Sequence, residues 1–224
     1  MRDLVSILRS YTHDFHGVVP FDADHDRIIQ MDFTEANQAL TGEVINNIDQ
    51  FSDHINSVLA HAGARYGIGG YSEHRTVYSR SRVFDPKEGD EPRRLHLGLD
   101  IWGSAGTPIF SPLDAKVHSF AFNDHYGDYG ATIILEHLFH GVQFYSLYGH
   151  LSKADLNIRE GKIIDAGETF AHFGEPEENG HWPPHLHFQL IQNIGSARGD
   201  YPGVCRFSQR AEYLANCPDP DLVA

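Results

Sequence analysis

From residue 107 onward the chain is written as short β-like runs parted by glycines, and this pattern limits the fold more than any other feature. The runs are 107–110, 115–120, 131–137, 142–148, 169–173 and 185–191, with Gly103, Gly106, Gly127, Gly130, Gly141, Gly161, Gly167 and Gly174 between or beside them. Each is too short for a helix that buries a face, and each is rich in β-branched and aromatic residues. Many short strands joined by glycine turns predict a mainly β fold, an antiparallel sandwich or barrel.

The chain before this region reads differently. Within 33–64 the apolar residues Ala36, Leu40, Val44, Ile48, Phe51, Ile55 and Leu59 recur at helical spacing, with Thr34 as a starting cap and Gly63 as the stop. Gly67-Ile68-Gly69-Gly70 marks the change of character. The expected organisation is a helical N-terminal segment (1–65), a β domain (66–200) and a C-terminal tail (201–224). Two loops stand out inside the β domain: 82–94, charged and holding Pro86 and Pro92, and 175–184, which empties into His185.

Charge narrows the function classes. A formal net charge of -14 repels nucleic-acid phosphates and anionic membrane surfaces, so neither is expected as a partner. No apolar run is long enough to span a bilayer. The N-terminal apolar stretch is broken by Arg9, Tyr11, His13 and Asp14, so it fails as a signal peptide. As written the chain is expected to be cytoplasmic, or exported if a leader was removed. Cys205 and Cys217 are compatible with one disulfide or two thiols. Nothing in the pattern specifies an oligomeric state.

Histidine is the outlier, with 16 copies. His13, His16, His25, His54, His61 and His74 read as surface or packing residues, so spacing has to carry the chemistry. Three motifs do so, in order: His96-Leu97-Gly98-Leu99-Asp100, Leu147-Tyr148-Gly149-His150-Leu151 and His185-Leu186-His187-Phe188. His185 and His187 lie two apart on an expected strand, so both leave one face and one can ligate a metal while the other faces the same cavity. Gly98 lets the backbone pass close to that site. His150 ends a strand, where it can reach a neighbour's face. Two imidazoles and a carboxylate suit zinc, and also manganese or iron, and leave a fourth position for water. Taken singly, H-x-x-x-D and H-x-H are often chance, and a lone His150 is more often a hydrogen-bonded core residue. The ordered set is what argues for a site.

In that order the motifs resemble the lysostaphin-like and LytM-like zinc endopeptidases, which cleave peptide cross-links in bacterial cell walls. Their H-x-G-x-D, Y-x-H-L and H-L-H-F are matched by His96 to Asp100, Tyr148 to Leu151 and His185 to Phe188. Gly106-Thr107-Pro108-Ile109, the Gly161–Gly167 segment and the stretch from Gly69 to Arg75 resemble the family too, so the likeness covers roughly residues 67 to 195. It implies an antiparallel β core, one Zn2+ per chain held by His96, Asp100 and His187, and His150 and His185 as the catalytic pair. The implied partner is a peptide or peptidoglycan-derived substrate. Two departures accompany the likeness. Gln189 stands where the family has a carboxylate, removing a charge that could orient a histidine. The 175–184 loop is acidic and bulky, with His181 and Trp182 as possible groove residues.

Three functions follow. The first is a zinc-dependent endopeptidase. The second is a metal-containing binding or regulatory module without hydrolysis. The third is a self-inhibited enzyme, plugged by the N-terminal segment or the 82–94 loop through His74, Asp85 or Glu88; in that version removal of 1–65 raises activity.

Overall fold

A computed structural model describes residues 3–84 and 90–224. Its strands are β1 (Ile28–Gln30), β2 (Tyr66–Gly69), β3 (Arg93–His96), β4 (Leu99–Trp102), β5 (Pro108–Phe110), β6 (Ala115–Asn123), β7 (Gly130–Phe139), β8 (Val142–Leu151), β9 (Ile163–Ile164), β10 (Thr169–His172), β11 (His185–Ile191) and β12 (Val204–Arg206). Helices are α1 (Leu4–Ser10), α2 (Gly42–Asn46), α3 (Ile48–Ala62) and α4 (Arg210–Asn216).

Eight strands form one sheet in the order β1-β2-β4-β11-β8-β7-β6-β9, and β10·β5 and β12·β3 form two small ribbons. The mainly β expectation holds, with two refinements. The large sheet stays open, with β1 and β9 as its edges, so it is not a barrel. It is also mixed, because β1 pairs parallel to β2 while its other pairings are antiparallel.

Alternation along the central strands divides apolar from polar work. On β11, Leu186, Phe188 and Leu190 enter the main core with Leu99 and Ile101 of β4 and Ile133 and Leu135 of β7. The intervening His185, His187 and Gln189 project from the opposite face, as a period of two requires. They are nonetheless buried, because that face is covered as well.

The cover includes the N-terminal segment, which is less helical than its periodicity suggests. Helix begins at Thr41, whose side chain accepts the Val44 N–H, and restarts at Asn47, whose side chain accepts the Gln50 N–H. Those two caps displace Thr34 as the start, while Gly63 ends α3 in the left-handed conformation as expected. Phe51, Ile55 and Leu59 of α3 and Ile45 of α2 bury against Phe33, Trp102 and Trp182. Leu4 and Leu8 of α1 join the main core on the other side of the sheet. The residues after 200 are equally tied down: β12 pairs with β3, and Cys205, Cys217 and Val223 are buried. Both cysteines are free. Among the described residues, no helix is long and apolar enough to cross a membrane.

Candidate active site

Register assembles the site. On the antiparallel pair β4·β11, His187 faces Asp100 and His185 faces Trp102. Directly opposed residues share a face, so these four form a two-by-two block in the middle of the sheet. On the other flank of β11, His187 faces Gly149 of β8. A Cβ at Gly149 would lie 2.5 Å from the Tyr129 ring, so only glycine admits that ring beside His187. His150, one residue on, would point to the far side of a regular strand. It has φ 64°, a left-handed conformation rare for a side chain of this size, and this turns its imidazole back towards His185, with ring centroids 4.1 Å apart. His96 arrives from the turn between β3 and β4. A Cβ on Gly98 in that turn would sit 2.5 Å from His187 Cε1, which is the close approach expected of this glycine.

His96, Asp100 and His187 bring one donor atom each to a common point. His96 Nε2 lies 2.9 Å from His187 Nδ1, and Asp100 Oδ1 lies 3.3 Å and 3.2 Å from those two nitrogens. Donors around a tetrahedral zinc with bonds of about 2.0–2.2 Å sit about 3.3–3.6 Å apart, so the triangle is slightly tight but of the right size.

The hydrogen positions make the stronger case for a cation. His96 Nδ1 is 2.9 Å from the Gly70 carbonyl, which can only accept, so that nitrogen carries the hydrogen and Nε2 is bare. His187 Nε2 is 2.9 Å from Gln189 Oε1. The Gln189 amide nitrogen donates to the Pro202 carbonyl and to Cys217 Sγ, which fixes Oε1 as the acceptor of the His187 hydrogen. His187 Nδ1 is then bare as well. Two nitrogen lone pairs and a carboxylate oxygen converge in a buried space, an arrangement that repels itself until a cation fills it. Gln189 thus keeps the orienting hydrogen bond of the carboxylate it replaces and loses only the charge.

Charge around Asp100 supports the same reading. Burial pushes its carboxyl up, but the charges of His96 and Arg75 and hydrogen bonds from His187 and His96 outweigh this and hold it well below the usual range. Arg75, 2% exposed at its side chain, donates Nη1 to Asp100 Oδ2 and Nε to Glu73 at 2.5 Å. It occupies the carboxylate oxygen that faces away from the triangle and leaves Oδ1 free. Burial, then Arg75, lowers His96 to about 3.

His150 and His185 share a different pattern. His150 donates Nδ1–H to the Asn179 carbonyl (2.7 Å) and His185 donates Nδ1–H to the Pro183 carbonyl (2.8 Å). Both acceptors belong to the 175–184 loop. Asn179 clips that loop shut, donating from its side chain to Gly174 and Trp182 carbonyls and accepting the Trp182 N–H. The two Nε2 atoms are left without a proton. Burial lowers His185 to about 4, and burial with the neighbouring His185 lowers His150 further below the ordinary histidine range.

These groups open into a cavity of roughly 230 Å3 lined by Asp100, His150, His185 and His187 together with an aromatic wall that includes Tyr78, Trp102, Tyr129 and Trp182. All five residues expected at the site therefore meet at one place. Trp182 lines it as expected; His181 points outward against Tyr126. His74 is exposed and set edge-on to Phe207, away from the triangle. Asp85 and Glu88 lie outside the described residues. None of residues 3–65 lines the cavity. Instead Phe33 stacks on Trp102 (4.9 Å, 28°) and Trp102 stacks on His185 (3.8 Å, 12°), so the N-terminal segment backs a site residue from behind.

Sequence reasoning missed Trp102, Asn179 and Tyr129. Trp102 was findable, since it lies two residues after Asp100 as His185 lies two before His187. Asn179 and Tyr129 act from loop and turn geometry that carries no motif.

Residues 94–198 match the family model of Peptidase family M23. This chain carries an M23 peptidase domain. The M23 domain is similar to the L-Ala--D-Glu endopeptidase of Bacillus subtilis, with 26% identity over 147 residues, 62% of this chain and 43% of that protein. It is also similar to the DD-carboxypeptidase/endopeptidase Mpg of Neisseria meningitidis, with 33% identity over 104 residues, 45% of this chain and 21% of that protein. Less than half of each relative is thus spanned. The catalytic domain of the antimicrobial peptidase lysostaphin from Staphylococcus simulans aligns with a TM-score of 0.42 and 22% identity, over 73% of this chain and 96% of that one.

Proposed function

We propose that this protein is a zinc-dependent endopeptidase acting on peptide bonds of peptidoglycan or of short peptides derived from it. The observation that carries the reading is the pair of bare Nε2 atoms on His150 and His185, beside a donor triangle that calls for a cation, all in one cavity. His96, Asp100 and His187 hold one zinc per chain, which supplies Lewis acidity to a water and to the scissile carbonyl. One of the Nε2 atoms accepts the proton of the attacking water; the other, once protonated, stabilises the charge developing on the carbonyl oxygen. The loop carbonyls of Asn179 and Pro183 keep both rings turned for this exchange. The relatives named for L-Ala--D-Glu endopeptidase and DD-carboxypeptidase/endopeptidase activities support a wall-derived substrate.

The test is hydrolysis of peptidoglycan, of pentaglycine and of L-Ala-D-Glu peptides by the zinc form, with and without His150→Ala. Loss of a general base lowers kcat by about 10²–10⁴-fold while zinc stays bound. Zinc retained with no turnover of any peptide by the parent protein would make it a metal-containing binding module instead.

A further inference from the structure

Away from the metal triangle, the same cavity has a mixed-charge wall built from Arg93, Asp128 and Asp200. Arg93 is half-buried. Its guanidinium lies over the Phe84 ring at 5.6 Å and donates through Nη2 to the Val83 carbonyl. Among the described residues no carboxylate is ion-paired with it. One of five N–H donors is used, and the bracing against Phe84 holds the rest in a fixed plane. Asp128 is half-buried and accepts the Tyr129 N–H at 2.8 Å through Oδ1. Burial, then the charge of nearby Asp200, pushes its carboxyl up, while Arg93 pulls it down. Cation and anions thus sense one another without neutralising one another in a direct pair.

A guanidinium and two carboxylates held apart on one cavity wall are complementary to a group that carries both charges itself. We propose that this wall binds the zwitterionic head of an amino-acid residue in the substrate, its carboxylate on Arg93 and its ammonium on Asp128 and Asp200. The inference rests on the peptidase reading for its meaning and adds the substrate class to it. A residue linked into a peptide through its backbone has no such head. A diamino-dicarboxylic acid joined at one centre and free at the other does have one. Arg93 stands three residues before His96 on β3, on the order of 10 Å along the strand, so the head sits two or three residues from the bond that is cut.

Calorimetry on the zinc-loaded protein tests this without turnover. The probe is diaminopimelate acetylated and amidated at one centre and free at the other. Its comparators carry a second carboxamide or a second acetyl group at the free centre. The free head is expected to bind about tenfold to a hundredfold more tightly than either comparator. Arg93→Gln should collapse the acid-to-amide ratio and leave the amine-to-acetyl ratio standing; Asp128→Asn with Asp200→Asn should do the reverse. Equal affinities of the parent protein for all three probes, or no binding of any, would overturn the proposal. Because no bond is cut, that result is separate from a failure to hydrolyse peptides, which would overturn the peptidase reading.

Discussion

His137 and the histidines of the site are equally buried yet differ in what their nitrogens meet. His137, on β7, has Nδ1 against the Asp114 carbonyl (3.1 Å), Nε2 against the Ser146 hydroxyl (2.7 Å) and its ring stacked on Phe144. Both nitrogens are satisfied, and the residue is a piece of core. His96, His187, His150 and His185 each have one nitrogen satisfied by a carbonyl or amide oxygen and the other left bare. Burial therefore does not mark a functional histidine in this fold. A bare nitrogen aimed at its neighbours or into a cavity does, since a buried lone pair left without a partner is costly unless a ligand completes it.

The comparison breaks first at the support behind the site. Trp102→Ala removes the ring that stacks on His185 and on which Phe33 rests. Denaturant unfolding should show a loss of about 3–5 kcal/mol, typical of a large buried aromatic. At temperatures where the variant is folded and zinc-loaded, kcat should fall with KM little changed, and Trp102→Phe should recover most of it. Unaltered kcat in the alanine variant would reduce Trp102 to packing.

Next comes His137 itself, which burial lowers to about 4 from an unfolded value of 6.5. Its folded pKa lies below its unfolded one, so the neutral ring's contribution is complete above pH 6.5. That contribution is lost as pH falls towards 4, where the unfolded chain holds a proton that the native state does not. The loss amounts to about 3 kcal/mol. Comparing the stability of the parent and of His137→Gln from pH 7 to 4 isolates this from the site histidines. The parent should fall more steeply, and parallel curves would refute the assignment.

The same contrast explains what was legible beforehand. Six of the strands follow from alternation and glycine turns, and the motif residues His96, Asp100, His150, His185 and His187 were all named by spacing and resemblance. β2 was hidden because Tyr66–Gly69 is half glycine and reads as a turn, yet pairing with both β1 and β4 holds it extended. β9 and β12 are two and three residues long, shorter than any pattern can register. The N-terminal helix was drawn too long because periodicity continues through Thr41 and Asn47, whose side chains cap instead of propagating. The return of His150 to the site face depends on a left-handed backbone angle, and the pairing of Trp102 with His185 depends on register. Neither property resides in one segment of sequence.

The smallest expected effect is also the most direct test of the central claim, that hydrogen positions set by neighbours leave His96 and His187 ready for a metal. Zinc titration of the metal-free protein against a competing chelator should give one site per chain. Gln189→Leu, which strips His187 Nε2 of its acceptor, should weaken that site by roughly 10–100-fold, and Gln189→Glu should restore or tighten it. No zinc bound by the parent protein, or equal affinity in the leucine variant, would contradict the account.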